Sequence, residues 1–279
     1  PGSIHNGADD NTSGTVTLLE LAAYLAQERK KNPEKFKRGI IFCWWTGEEL
    51  GLLGSAQYAK NPPIPFKQVT SYINLDMVGR MKNNELIMQG MGSSSVWKKM
   101  VEKRNVAAGF SLKLQDDPYQ PTDITSIYPK GVPSICLFTG LHKDYHKPTD
   151  DPDTLNYEDM ERLAKFTAQL LMDLAGDMKR PDYIKVERGN RGQSRAGLKA
   201  YTGVIPDYAS DEKGLLINDV RPGGPADKAG IKSQDVIIQF GAVKISNIYD
   251  YTEALNGIKI GKPLKVIVMR KGKKVNLTI

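Results

Sequence analysis

Two cysteines and three histidines are few for 279 residues, and each shortage excludes something. Cys43 and Cys136 cannot build a disulfide framework or a thiolate zinc cluster. Both sit in apolar runs, "GIIFCWW" and "GVPSICLF", and read as buried free thiols. Long apolar runs are also missing. None approaches the roughly 18 residues that a membrane helix needs, and no signal peptide is visible. The first residues read like the middle of a domain, so the natural N-terminus is expected upstream, with "Pro-Gly-Ser" at the start as a possible scar.

Charge of one sign is scarce in the first part and abundant in the second. Residues 1–179 hold 21 Lys+Arg against 22 Asp+Glu, whereas residues 180–279 hold 18 against 10, so the net +7 belongs to the C-terminal part. The basic residues there are scattered through strand-like text without an aromatic platform. That pattern reads as a solvated face and argues against nucleic acid.

What is present is an alternation. Residues 14–29 have helical apolar spacing with Ser13 as N-cap, and "RGIIFCWW" (38–45) reads as a buried strand. Strands follow at 71–79, 85–90 and 132–140, a helix at 93–109, and a long amphipathic helix at 156–177. Buried strands alternating with helices predict an α/β layered domain over residues 1–178. Polar, Gly-rich residues 179–196 read as a linker. Residues 197–279 read as a small β-rich module with short helical pieces near Pro225–Gly230 and Tyr249–Gly257.

Three acidic clusters mark the first domain: Asp9-Asp10 before a helix, Glu48-Glu49 in "GEELGLLGS", and Asp76 in "INLDMVG". Strand ends are where open α/β sheets place ligand sites. One such cluster alone reads equally as a cap or a solvated loop. Three converging clusters repel each other unless a cation sits among them. Two of the histidines, His142 and His146, lie in the loop "GLHKDYHKPTDDPDTL", and carboxylate plus imidazole suits zinc.

In order, "NGADDNTSG", "GEELGLLGS", "NLDMVG" and "DYHKPTDDPD" resemble the M28 family of zinc aminopeptidases over about residues 4–177. The resemblance implies a three-layer αβα zinc-peptidase domain with a mixed, mostly parallel sheet whose first strands are missing here. It implies two zinc ions bridged by Asp9, with Glu49, Asp76 and His146 as further ligands and Glu48 as general base. His142 is the alternative histidine. A cis peptide between Asp9 and Asp10 is also implied. Tyr119, with Thr122-Asp123 after it, is similar to the family's oxyanion-stabilising tyrosine, and Asp123 would support it from behind. The family's first histidine ligand lies in an upstream His-x-Asp motif. His5 is four residues before Asp9 and reads as a loop residue, so this chain is expected to hold one zinc or none and to be weakly active or inactive.

"RPGGPADKAGIKSQDVI" makes the second module similar to a PDZ domain, with Gln234 where glycine is usual. The resemblance implies that Tyr201, Thr202, Gly203 and Val204 form a loop binding peptide or protein C-termini, facing a helix near Tyr249–Leu255. The expected function is a zinc aminopeptidase acting on peptides, exported to a bacterial periplasm or secreted, with no nucleic acid partner and no membrane span. The alternatives are a non-catalytic peptide-binding protein on the same fold and a single-zinc glutaminyl cyclase.

Overall fold

The structure is a computed structural model of the 279-residue chain. It describes residues 4–49, 52–176, 179–187, 201–207, 213–246 and 248–279. The chain divides into two compact units, Pro1–Glu48 with Leu52–Glu187, and Arg188–Ile279 with the short piece Glu49–Gly51.

The first unit runs α1 (Gly14–Lys31), α2 (Leu53–Lys60), β1 (Tyr72–Leu75), β2 (Glu85–Gln89), α3 (Trp97–Ala108), β3 (Ser111–Leu114), α4 (Ile124–Ile127), β4 (Ser134–Phe138) and α5 (Tyr157–Ala175). The sheet order is β1-β4-β2-β3. β1 pairs β4 in parallel, β2 pairs β3 in parallel, and β4 and β2 run antiparallel, so the sheet is mixed. Every residue of β4 is buried, as suits an inner strand covered on both faces. Alternation sends Ile135 and Leu137 into the main core with Leu86 and Met88 of β2, Trp97 and Val101 of α3, and Leu163 and Leu170 of α5. Each such side chain contributes about 1.5–3 kcal/mol by leaving water. A smaller cluster joins Ala59 of α2 to Ile127 of α4 and Val132.

Two expectations change here. The segment expected as a buried strand over residues 38–45 forms no ladder among the described residues, and Ile41 and Trp44 are 52% and 45% exposed. A strand exists only where a neighbour takes its backbone N–H and C=O groups; apolar composition alone did not supply one. Cys43 is correspondingly half-buried, while Cys136 is fully buried and its thiol is pushed up by that burial.

The polar stretch expected as a linker is, in its first part, bound to the first unit. Arg180 donates to the carbonyls of Lys67 and Val69 at 2.6 and 2.9 Å. Asp182 accepts from the hydroxyls of Ser94 and Ser95 and from the Ser95 N–H. Tyr128, whose hydroxyl burial pushes up to about 12, donates to the Ile184 carbonyl and accepts from the Val186 N–H. Residues 188–196 of the expected linker, and 197–200 of the expected second domain, lie outside the described residues, as does Pro1–Ser3.

The second unit contains β5 (Val204–Pro206), β6 (Leu215–Val220), α6 (Pro225–Lys228), β7 (Val236–Phe240), β8 (Val243–Lys244), α7 (Ile248–Gly257), β9 (Lys265–Arg270) and β10 (Lys273–Thr278). Its antiparallel sheet runs β10-β9-β7-β6-β5, with β8 on β7. Ile217, Ile237, Phe240, Val266 and Val268 meet Tyr251 and Leu255 of α7 in one core. Gln234, which replaces the usual glycine, still adopts φ 68. Among the described residues, no helix is long and apolar enough to cross a membrane.

Candidate metal centre

Asp76, His142 and His146 lie beyond the C-terminal ends of neighbouring strands. β1 and β4 are parallel, so the residues after them, Asp76 and the loop carrying His142 and His146, leave from the same side. The turn before α1 is stitched to the chain after β1. Asn11 donates to the Leu75 carbonyl and accepts from Met77 N–H, and Ser13 Oγ accepts from Val78 N–H. Ser13 therefore does not cap α1 as expected; Asn11 takes the Gly14 N–H instead.

This stitching decides which aspartate faces the site. Asp9 is fully buried, and its Oδ1 accepts from Gly79 N–H at 2.7 Å. Only glycine allows that approach, since a Cβ at Gly79 would lie 2.9 Å from the same oxygen. The other Asp9 oxygen lies 3.1 Å from Nε2 of His142, also buried. Asp10 points elsewhere: its Oδ2 is 3.1 Å from Nε2 of His146. Asp10, Glu49 and His146 each offer a ligand atom, and all three atoms lie within 4.8 Å of one another. Tyr145 stacks on the His146 ring at 3.7 Å between centroids.

Asp9, expected as the bridging ligand, falls outside the three-residue group, which takes its neighbour Asp10 instead. Adjacent residues send their carboxylates in different directions, and the one at position 9 is taken up by the Gly79 backbone. The cis peptide likewise lies at Asp10–Asn11, not Asp9–Asp10. Glu49 and His146 are brought together as expected, and His142 is not, since it sits with Asp9. Glu48 and Asp76 fall outside the three-residue group. Glu48 is half-buried, in a loop returned onto α2 by hydrogen bonds from Leu52, Leu53 and Gly54 N–H to the Glu48, Gly47 and Thr46 carbonyls. The hydroxyl of Tyr119 donates to the Val186 carbonyl at 3.4 Å, and its ring meets Tyr128 edge-on. Asp123 is buried, and that burial raises its pKa. Non-glycine residues with left-handed φ occur close to Glu49, Asp76 and in the histidine loop, at Leu52, Met77 and His146. Such conformations persist where surrounding contacts over-determine them, and they cluster at functional sites.

Two carboxylates and an imidazole are a zinc donor set, and three protein ligands leave a fourth position open, as catalytic sites require. Ligand atoms on a tetrahedral zinc stand about 3.3 Å apart, close to the Asp10–His146 separation. The residues fit the metal.

The model of Peptidase family M28 matches residues 2–171. The chain belongs to that family. A PDZ domain model matches residues 183–279, so this M28 chain carries a PDZ domain at its C-terminal end. A leucine aminopeptidase 2 of Arthroderma otae is 29% identical over 68% of this M28 chain and 44% of that protein. An aminopeptidase of Pseudomonas aeruginosa is 32% identical over 48% of this chain and 25% of its own length. Among solved structures, a zinc aminopeptidase from Bacillus subtilis superposes with TM-score 0.52 at 25% identity, over 66% of this chain and 47% of that one. The aminopeptidase of Aneurinibacillus sp. strain AM-1 gives the same score and identity over 66% and 43%. This chain therefore spans less than half the length of these relatives.

In the PDZ unit, Gly203 has φ 79, and its carbonyl accepts from Arg221 N–H. The Thr202 hydroxyl is 2.6 Å from that of Tyr251 on α7, tying the expected peptide loop to the expected facing helix. Tyr201 is exposed, and Val204 opens β5, the end strand of the sheet.

Proposed function

We propose that this chain binds one zinc ion through Asp10, Glu49 and His146 and hydrolyses N-terminal residues from peptides, with its PDZ unit taking peptide C-termini. The grouping of those three ligand atoms is the observation that carries the reading. Asp76, just beyond β1, is assigned to the second metal position that the family resemblance implies; among the described residues it joins no group of three ligands, so it holds an ion weakly. Zinc at the first position supplies Lewis-acid polarisation of the scissile carbonyl and acidifies water. Glu48, beside Glu49 in the chain, takes the proton of the attacking water on a carboxylate oxygen and delivers it to the departing amine. Asp9 and His142 lie behind Asp10 as buried support. Tyr119 joins the chemistry only if its hydroxyl leaves the Val186 carbonyl.

The PDZ assignment adds strand augmentation. An incoming C-terminal segment lies along β5, with the backbone near Gly203 receiving its carboxylate. Export, implied by the family resemblance, belongs to the same proposal.

A single three-residue metal group also suits a one-zinc glutaminyl cyclase. Incubating the zinc-loaded chain with an aminoacyl anilide and with an N-terminal glutamine peptide separates the two. The proposal expects anilide hydrolysis that falls at least 100-fold, or to background, in Glu48→Gln. Cyclisation without hydrolysis, or hydrolysis indifferent to Glu48→Gln, contradicts it.

A further inference from the structure

The Asp10 and His146 loops are remote in sequence, and neither residue by itself fixes the 3.1 Å between them. One side chain spans both loops. The carboxylate of Asp150, 1% exposed, accepts from the Asp9 N–H at 3.1 and 3.0 Å through its two oxygens and from the Asp10 N–H at 3.0 Å. The Asp150 carbonyl accepts from Ala8 N–H at 3.0 Å. Asp150 is four residues after His146, and its own N–H donates to the Lys147 carbonyl. The other flank of His146 is fixed separately: Asp144 accepts from Arg80 at 3.1 Å and from Thr149 at 2.8 Å.

We infer that Asp150 is a positioning residue that clips the Asp10 backbone to the His146 loop and so sets the spacing of the metal ligands. The inference rests on the zinc reading of Asp10, Glu49 and His146. Its physical basis is the acceptor count. A buried carboxylate offers lone pairs to several N–H groups at once, and charge-assisted bonds of this kind are stronger than neutral ones. An amide at the same place replaces one acceptor oxygen with an NH2 group. That group then meets the Asp9 or Asp10 N–H donor to donor, and at least one buried bond is lost. Groups that orient metal ligands from behind typically change metal affinity 10- to 100-fold when removed.

The test measures the zinc Kd by competition with a chromophoric chelator, and the visible spectrum of the Co2+-loaded protein, for the full chain and for Asp150→Asn, Asp150→Glu and Asp151→Asn. Asp151 is the control, since it is the adjacent acid, half-buried, and its carboxylate accepts from the exposed Asn6 side chain at 2.6 Å. We expect zinc to bind 10- to 100-fold more weakly to Asp150→Asn, with a shifted Co2+ spectrum. Asp150→Glu keeps the charge but moves it by one methylene and is expected to fall between, while Asp151→Asn matches the parent chain. A folded Asp150→Asn with the parental zinc Kd and Co2+ spectrum overturns the inference, even if its thermal midpoint is lower, because a merely structural role would move only the midpoint. If circular dichroism shows Asp150→Asn unfolded, Asp150→Glu decides on the same two readouts. Failure of the parent chain to bind zinc at all overturns the underlying metal reading instead, and this inference with it.

Discussion

The peptidase unit and the PDZ unit assemble their candidate sites by different means. Within the M28 match, residues 2–171, Asp10, Glu49 and His146 come from three loops far apart in the chain. Buried carboxylates that grip backbone N–H groups, Asp9 on Gly79 and Asp150 on Asp9 and Asp10, hold two of those loops in place. In the second, the candidate binding feature is backbone itself: β5, the end strand of the sheet among the described residues, and the left-handed turn at Gly203. The contrast shows why side-chain chemistry marks the first site in the sequence while glycine placement marks the second. It also predicts that the two sites fail to different substitutions.

Outside the zinc site, the largest expected effect is at Gly203. A side chain there meets both the positive φ and the Tyr201 hydroxyl, 3.2 Å from where its Cβ would lie. Gly203→Val should weaken C-terminal peptide binding at least 10-fold by fluorescence anisotropy and leave zinc binding unchanged. Equal loss of both would break the comparison. Next is Asp182, which fastens residues 179–187 to the first unit. The hydroxyls of Ser94 and Ser95 hold its carboxyl below the usual range. A depressed folded pKa means that its contribution is full above the unfolded carboxylate value and fades as pH falls through the folded one. Asp182→Ala should therefore cost about 0.5–1 kcal/mol in denaturant unfolding at neutral pH, at the low end because the carboxylate is exposed and screened by water, and the gap should close in acid. A constant gap would contradict the cause given. The smallest effect is at Gln234. Left-handed backbone costs a side-chain-bearing residue about 1 kcal/mol or more, partly offset by the freedom glycine gains when unfolded. Gln234→Gly should stabilise the PDZ unit by about 0.5 kcal/mol in thermal unfolding; destabilisation would show that the Gln234 side chain makes contacts outweighing its strain.

Much of this was legible in the sequence, unevenly. The alternation of apolar runs gave β1, β2, β4 and α5, because periodicity records burial directly. It misread residues 38–45, where apolar content is high but no partner strand receives the backbone. The acidic clusters pointed to a metal, and the motifs named Glu49 and His146, two of the three residues whose ligand atoms lie together. Which of Asp9 and Asp10 lies with Glu49 and His146 was not legible, because adjacent carboxylates are equivalent in sequence and the Gly79 and His142 contacts that draw Asp9 away belong to the fold. Asp150 was invisible for a similar reason: it reads as one of several acids in "PTDDPD", and its role depends on meeting backbone from the other end of the unit.

Zinc content after extensive dialysis, measured by elemental analysis on the chain and on Asp10→Asn, tests the central claim most directly. The account predicts about one zinc ion per chain, lost in Asp10→Asn. No zinc in the parent chain, or zinc retained unchanged without the Asp10 carboxylate, would contradict it.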